Sequence, residues 1–397
     1  MKTKIKLTLT LAACAAAFTS SLFAQLGIPS DGSDGALIIS NNTVIDLGQA
    51  VTGNWTNNNA ANAGRGIYDP NKWAVVFKYS SVVISNGATL TFSNHPTHAP
   101  VVWLVNGNVT INGWLSLDGV YGGTDTANPP EGGPGGFRGG ATVQSTLGYS
   151  GGFGPGGEFR DYGQYGSSQP RSYGNPQIVP LVGGSGGSAN NNAWNGGGGG
   201  GAILIAASST ISVSGTGTIS ADGGQGPNTW AGSGGAIRLV AGQITGSGRI
   251  EAVVMYGQGG YSGRIRLEAN AASGSLNLDP PVIAVPPTPL IIWPDTNAPT
   301  VKVVSVASLV APADPKAAMT SNGDDLTIAN TNAVAILLQT SNFPTNGTVN
   351  VYIQPRNAAQ SILQASFVSG NTNLANWQLT TILPVSHTII QARAVAP

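Results

Sequence analysis

The sequence predicts an all-β chain: a stacked solenoid of parallel strands, then an antiparallel sandwich. Two observations carry this. Gly201-Ala-Ile-Leu-Ile-Ala-Ala207 returns as Gly235-Ala-Ile-Arg-Leu-Val-Ala241 and again as Gly263-Arg-Ile-Arg-Leu-Glu-Ala269. Units recurring at a spacing of about thirty residues cannot bury their apolar faces singly and must stack on one another. The second observation is composition. Only 9% of the 397 residues are charged and 57 are glycine, which leaves little for long amphipathic helices.

Residues 1–24 read as a secretory signal peptide. Lys2, Lys4 and Lys6 precede a largely apolar stretch from Leu7 to Phe23, and Ala24 supplies a small residue at the cut. Thr8, Thr10, Thr19 and Ser20 break that stretch, which falls short of the ~20 residues that span a bilayer. The expected mature chain starts at Gln25, is exported to the cell surface, the extracellular space or the periplasm, and carries no transmembrane segment. The only cysteine, Cys14, lies in the leader, so no disulfide or thiol is expected beyond it. Leu11-Ala-Ala-Cys14 resembles a lipoprotein box, but the apolar run continues through Phe18 and favours an ordinary leader. No outer-membrane barrel and no apolar anchor at Pro397 are expected. Acidic and basic residues balance at 17 each, which removes the basic face a nucleic-acid binder needs.

The solenoid is expected over residues 25–278. Ala36-Leu-Ile-Ile-Ser40, Thr43-Val-Ile-Asp-Leu47, Val82-Val-Ile-Ser85 and Ala88-Thr-Leu-Thr-Phe92 are strand units, and Asn86-Gly87 marks a tight corner. Val109-Thr-Ile-Asn-Gly113 aligns with Ile211-Ser-Val-Ser-Gly215, and Leu115-Ser-Leu-Asp-Gly119 with Ile219-Ser-Ala-Asp-Gly223. Residues from about 119 to 201 therefore form a glycine-rich insertion. It lacks a Gly-X-Y register, which excludes collagen. Its many rings argue against disorder, so an ordered, irregular flap is expected. Seven prolines between Pro280 and Pro299 make residues 279–299 an extended linker. Short alternating strands at near-regular spacing over 300–397 predict an immunoglobulin-like β-sandwich without a core disulfide.

Asp31-Gly-Ser-Asp-Gly35, Tyr68-Asp-Pro70, Val75-Val-Phe-Lys-Tyr-Ser80, Pro100-Val-Val-Trp-Leu-Val105, Gly132-Gly-Pro-Gly-Gly-Phe-Arg-Gly-Gly140, Pro180-Leu-Val-Gly-Gly-Ser-Gly-Gly187 and the Gly-Ala-Ile-Arg-Leu repeats carry a resemblance. Over about residues 26 to 270 the chain resembles a group of uncharacterised, exported, glycine-rich bacterial proteins. The resemblance implies a right-handed parallel β-helix and export from a Gram-negative-type cell, and it brings no activity. The expected fold class is thus all-β: a right-handed parallel β-helix with a long glycine-rich insertion, followed by a C-terminal immunoglobulin-like β-sandwich.

Enzymes that cut polysaccharides need paired carboxylates or a base with a cation. Asp118 and Asp222 align in the repeat and are placed to stack, yet both sit in Asp-Gly corners, where turn geometry explains them. No catalytic residue is assigned. Asp31 and Asp34, with Ser33, are candidate Ca²⁺ ligands, although two acids supply few of the oxygens needed. His95 and His98 lack the further ligands of a zinc site and read as hydrogen-bonded loop histidines. No G-x-S-x-G elbow and no phosphate loop occur. Arg138, Arg160 and Arg171 share the insertion with its aromatics, where ring packing outweighs ligand binding. Arg238, Arg264 and Arg266 are expected on a solvated strand face. The expected function is a non-catalytic, exported cell-surface or extracellular-matrix protein for adhesion or polysaccharide binding. Its carbohydrate contacts are placed at Phe159, Arg160, Tyr162 and Tyr165. The alternative is a polysaccharide lyase or glycoside hydrolase.

Overall fold

The structure, a computed structural model, describes residues 25–62, 64–125, 129–142, 150–157, 173–190, 194–226, 230–254, 261–312, 325–356 and 358–397. The expected leader with Cys14, the four carbohydrate candidates Phe159, Arg160, Tyr162 and Tyr165, and Arg171 lie outside the described residues. The chain is all-β, with 43% strand and 2% helix.

The recurring units pair as parallel strands in direct register. Ala202 opposes Ala236, and Ala236 opposes Arg264. Ile211 likewise opposes Val109, and Ile219 opposes Leu115. The expectation of a right-handed parallel β-helix is nevertheless corrected by the way these strands connect. Ala74–Ile84 pairs with Val101–Val105, which pairs with Ala202–Ala207 and so with Ala236–Gly246. From there pairing passes to Thr210–Val213, to Val109–Ile111 and back to Ala74–Ile84. These strands make a closed six-stranded parallel barrel. The physical reason lies in Ala74–Ile84 and Ala236–Gly246, each eleven residues long. Each runs on through its middle, at Ser80-Ser81 and at Ala241-Gly242, and pairs along both of its halves.

A second, six-stranded sheet contains Thr43–Asp46, Thr89–Ser93, Trp114–Ser116, Thr218–Ser220, Arg249–Glu251 and Asn277–Asp279, all parallel. Inward residues of both sheets, among them Phe77, Trp103, Ile203, Ile237, Leu90, Leu115, Ile219 and Ile250, form one core. Each fully buried aliphatic side chain of this kind contributes about 1.5–3 kcal/mol relative to an exposed one. The barrel strands read as continuous apolar runs because their outer face is covered too. Val76, Val102, Leu104, Leu204 and Val240 lie under Ile28, Trp55, Leu181, Leu290, Ile292 and Trp293. The proline-rich segment is therefore docked on the barrel through Leu290, Ile292 and Trp293.

The described part of the glycine-rich insertion is a hydrogen-bonded bundle of extended segments. From Gly196 to Gly201, successive main-chain N–H groups donate to Gly140, Trp230, Val120, Phe137, Ser233 and Leu117. Three neighbouring segments are thus addressed in rotation, the three-residue period of an extended polyproline-II-type helix. The segments approach so closely that a Cβ on Gly198 would sit 1.9 Å from the Glu131 carbonyl oxygen. Crowding, rather than flexibility, explains the glycine. Arg138 covers the Phe153 ring at 3.9 Å, which pins one edge of the bundle.

The C-terminal region holds one seven-stranded antiparallel sheet, ordered Leu309–Val310, Thr300–Val306, Val334–Ser341, Leu374–Thr381, Ser361–Asn371, Thr348–Pro355 and Thr388–Val395. It curls into a half-barrel, which corrects the expected immunoglobulin-like sandwich. Ser361–Asn371 is responsible. Its first half pairs with Thr348–Pro355, its second half with Leu374–Thr381, and the register shifts between Phe367 and Ser369. One bent strand joins what the sequence reading took as two sheets. Trp377, Phe343, Val351 and Ile336 fill the hollow.

Candidate functional site

The outer face of the six-stranded parallel sheet gathers the chemistry-bearing residues that the repeat aligns. Leu115, Ile219 and Ile250 are consecutive partners and fully buried. With a side-chain period of two, their neighbours point outward. One outward row holds Trp114, Thr218, Arg249 and Asn277; the next holds Ser116, Ser220, Glu251 and Asp279.

Trp114 is 40% exposed, and its Nε1–H donates to Ser220 Oγ at 2.8 Å. Thr218, not Ser220, is its direct partner; Ser220 is the diagonal neighbour, ~7–8 Å away between Cα atoms. Ser220 Oγ in turn donates to Asp118 Oδ2 at 3.0 Å, as Ser116 Oγ does at 2.8 Å. Asp118 Oδ1 accepts the Asp222 main-chain N–H at 2.7 Å, and Asp222 Oδ1 accepts that of Val253 at 2.7 Å. Each aspartate thus caps the corner of the next rung. The alignment of Asp118 with Asp222 read from the repeat holds in space.

Burial raises the Asp118 carboxyl above its ordinary value, against the hydrogen bonds from Asp222, Ser116 and Ser220. Asp222 is pushed up to about 7, first by burial and then by the nearby charges of Asp118 and Glu251. Burial also raises Glu251, and Arg249 Nη2 pairs with its Oε2 at 2.5 Å. The cluster therefore offers a carboxyl that titrates near neutrality, bound to main chain on one oxygen.

Trp114 had no place among the residues singled out from the sequence. The signal was available in Trp114-Leu115-Ser116-Leu117, where alternation sends both leucines inward and the large ring outward.

Asp31 and Asp34 come together around Lys78. Lys78 Nζ lies 3.2 Å from Asp31 Oδ2 and is itself buried, and it also donates to the carbonyls of Asn57 and Thr56. Asp34 Oδ2 accepts from Asn59 Nδ2 at 2.6 Å and from the Lys78 main-chain N–H at 2.5 Å. Burial pushes Asp31 up, but hydrogen bonds from Ser33 and Lys78 together leave it below the ordinary value; burial raises Asp34. Of the two candidate Ca²⁺ ligands, Asp31 is thus paired with the Lys78 ammonium and Asp34 with Asn59 and main chain.

His95 stacks on Tyr68 with ring centroids 4.0 Å apart, and its Nδ1 lies 2.8 Å from Thr97 Oγ1. Burial lowers both His95 and His98. Among the described residues no three His, Cys, Asp or Glu side chains group to hold a metal ion.

The solvated strand face expected for Arg238, Arg264 and Arg266 is corrected at Arg238, which is buried although it opposes the partly exposed Arg266 in register. Arg238 Nε and Arg266 Nε both bind Glu268 Oε1, at 2.8 and 2.6 Å, with Arg238 and Glu268 almost wholly buried. Arg238 Nη1 reaches the Ile291 carbonyl at 2.6 Å, so the docked proline segment covers Arg238, while Arg266 stays partly exposed. Arg264 donates to the Val182 carbonyl beneath the insertion.

Among the described residues no helix is long and apolar enough to cross a membrane. No protein-family model, no curated protein and no solved structure matches the chain, so its functional reading rests on its own geometry.

Proposed function

We propose that the protein is a non-catalytic, exported cell-surface or matrix protein that binds polysaccharide. The observation that carries the reading is the use of Asp118 and Asp222: each accepts the main-chain N–H that begins the corner of the next rung. Acids held in this way build a scaffold, whereas glycoside hydrolysis requires two carboxyl groups facing each other across a sugar. The leader-like residues 1–24 and the resemblance to exported glycine-rich proteins support export. Parallel sheets backed by the hydrogen-bonded glycine segments support a scaffold role at a polymer or envelope surface.

One observation favours the enzyme reading. A buried carboxyl pushed up to about 7, as at Asp222, suits a general acid. A glycan-array screen of the mature chain tests the binding reading. Retention of at least one polysaccharide supports it, and retention of none overturns it.

A further inference from the structure

We propose that the outer face of the six-stranded sheet, with Trp114 as its stacking platform, binds a neutral pyranose chain. The inference rests on the polysaccharide-binding reading and assigns it a surface and a ligand class.

Trp114 differs from the other described tryptophans. Trp73 and Trp103 lie in the main core, Trp377 in the core of the antiparallel sheet, Trp293 packs against Trp55, Trp230 is buried and Trp194 is half-buried. None of these is exposed, whereas Trp114 is 40% exposed. Its indole N–H is anchored on Ser220 Oγ while the residue stays 40% exposed. An exposed aromatic ring anchored at its N–H offers a surface on which the C–H face of a pyranose stacks.

The surroundings supply the rest of the recognition. Thr218 and Asn277 share the row of Trp114, and Ser116 stands in the adjacent row. Their hydroxyl and amide groups match sugar hydroxyls in both donor and acceptor roles. From the Trp114 strand to the Asn277 strand the face is roughly 14 Å across, from the spacing of neighbouring strands. That width accommodates an oligosaccharide rather than a single sugar.

Charge then selects among glycans. Asp279 stands in the row of Glu251 on this face, and the guanidinium of Arg249 is already matched by the Glu251 carboxylate. Uronate and sulfated chains meet like charge there. Uncharged chains do not.

Isothermal titration with cellohexaose, chitohexaose, mannohexaose and hexagalacturonate tests the assignment. The wild-type protein is expected to bind at least one neutral hexamer and not hexagalacturonate. Trp114→Ala should weaken that binding roughly tenfold, with the thermal midpoint nearly unchanged. Trp114→Phe, which keeps a ring at the position, should fall between the two and guards against misfolding of the alanine variant. A neutral hexamer bound equally by wild type and both variants overturns the site and leaves the polysaccharide reading standing. Preference for hexagalacturonate overturns the ligand class. Binding of no hexamer by the wild type, with no polysaccharide retained on the array, overturns both the site and the reading beneath it.

Discussion

Asp118 Oδ1 accepts the main-chain N–H of Asp222 at 2.7 Å, tying the corner of one rung to the corner of the next across 104 residues of sequence. Ser116 and Ser220 hold the other carboxylate oxygen, so Asp118 satisfies one backbone and two hydroxyl donors at once. Replacement of Asp118 by alanine strands those donors in a half-buried corner. The expected loss is about 1–3 kcal/mol, the usual penalty for a buried donor left unpaired. Urea unfolding of Asp118→Ala and Asp118→Asn checks it, and the asparagine variant should keep most of the stability.

Stability should fall as pH rises from about 4 toward 7. The folded Asp222 carboxyl keeps its proton up to about 7, whereas the ordinary value is 3.8. Between those values the folded state binds more protons than the unfolded state, and stability declines with increasing pH. Asp118, Asp34 and Glu251 are also raised and act in the same direction, while Asp31 is lowered and opposes them. Thermal midpoints measured across this window should drop toward neutral pH. Asp222→Asn should flatten the profile, and an unchanged profile would refute the assignment.

Gly198→Ala should destabilise the glycine bundle. The added Cβ meets the Glu131 carbonyl oxygen at 1.9 Å, and the obstacle is main chain rather than a movable side chain. Overpacking of this kind costs about 1–3 kcal/mol. Gly87, whose Cβ would meet nothing within 4 Å, is a poor control because its φ is +80°; Gly27, open and without that restriction, is the better one. Limited proteolysis of Gly198→Ala and Gly27→Ala should open the insertion only in the first.

Glu268 holds two guanidiniums, one of them buried under the docked proline segment. Glu268→Ala leaves Arg238 charged and unpaired, and a buried pair broken from one side costs about 3–5 kcal/mol. Arg266 is partly exposed and solvates itself. Denaturant unfolding should therefore show a large loss for Glu268→Ala and a smaller one for Arg266→Ala.

These relationships were readable from the sequence to different depths. The repeat of Leu115-Ser-Leu-Asp-Gly119 in Ile219-Ser-Ala-Asp-Gly223 was enough to pair Leu115 with Ile219 and to place Asp118 beside Asp222, because parallel register is set by inward apolar residues. The closure of the barrel was not readable. It depends on Ala74–Ile84 and Ala236–Gly246 bending without breaking, and alternation looks the same in a bent strand as in two short ones. The antiparallel half-barrel escaped for the same reason, at Ser361–Asn371. Arg238 looked solvated because nothing local reports that Ile291, far along the chain, covers it. That the insertion is ordered was legible from its aromatic rings, but the form of that order was not. Its three-way hydrogen bonding is tertiary, and no pairwise motif encodes it.

The central claim is that the carboxylates of the stacked rungs hold a binding scaffold rather than perform chemistry. The most direct test incubates the mature protein with polysaccharides, neutral and uronate-containing, and measures released reducing ends and unsaturated sugars beside Asp118→Asn and Asp222→Asn. The account predicts no release above the protein-free control from any of the three. Release by the wild type that disappears in Asp118→Asn or Asp222→Asn would contradict it.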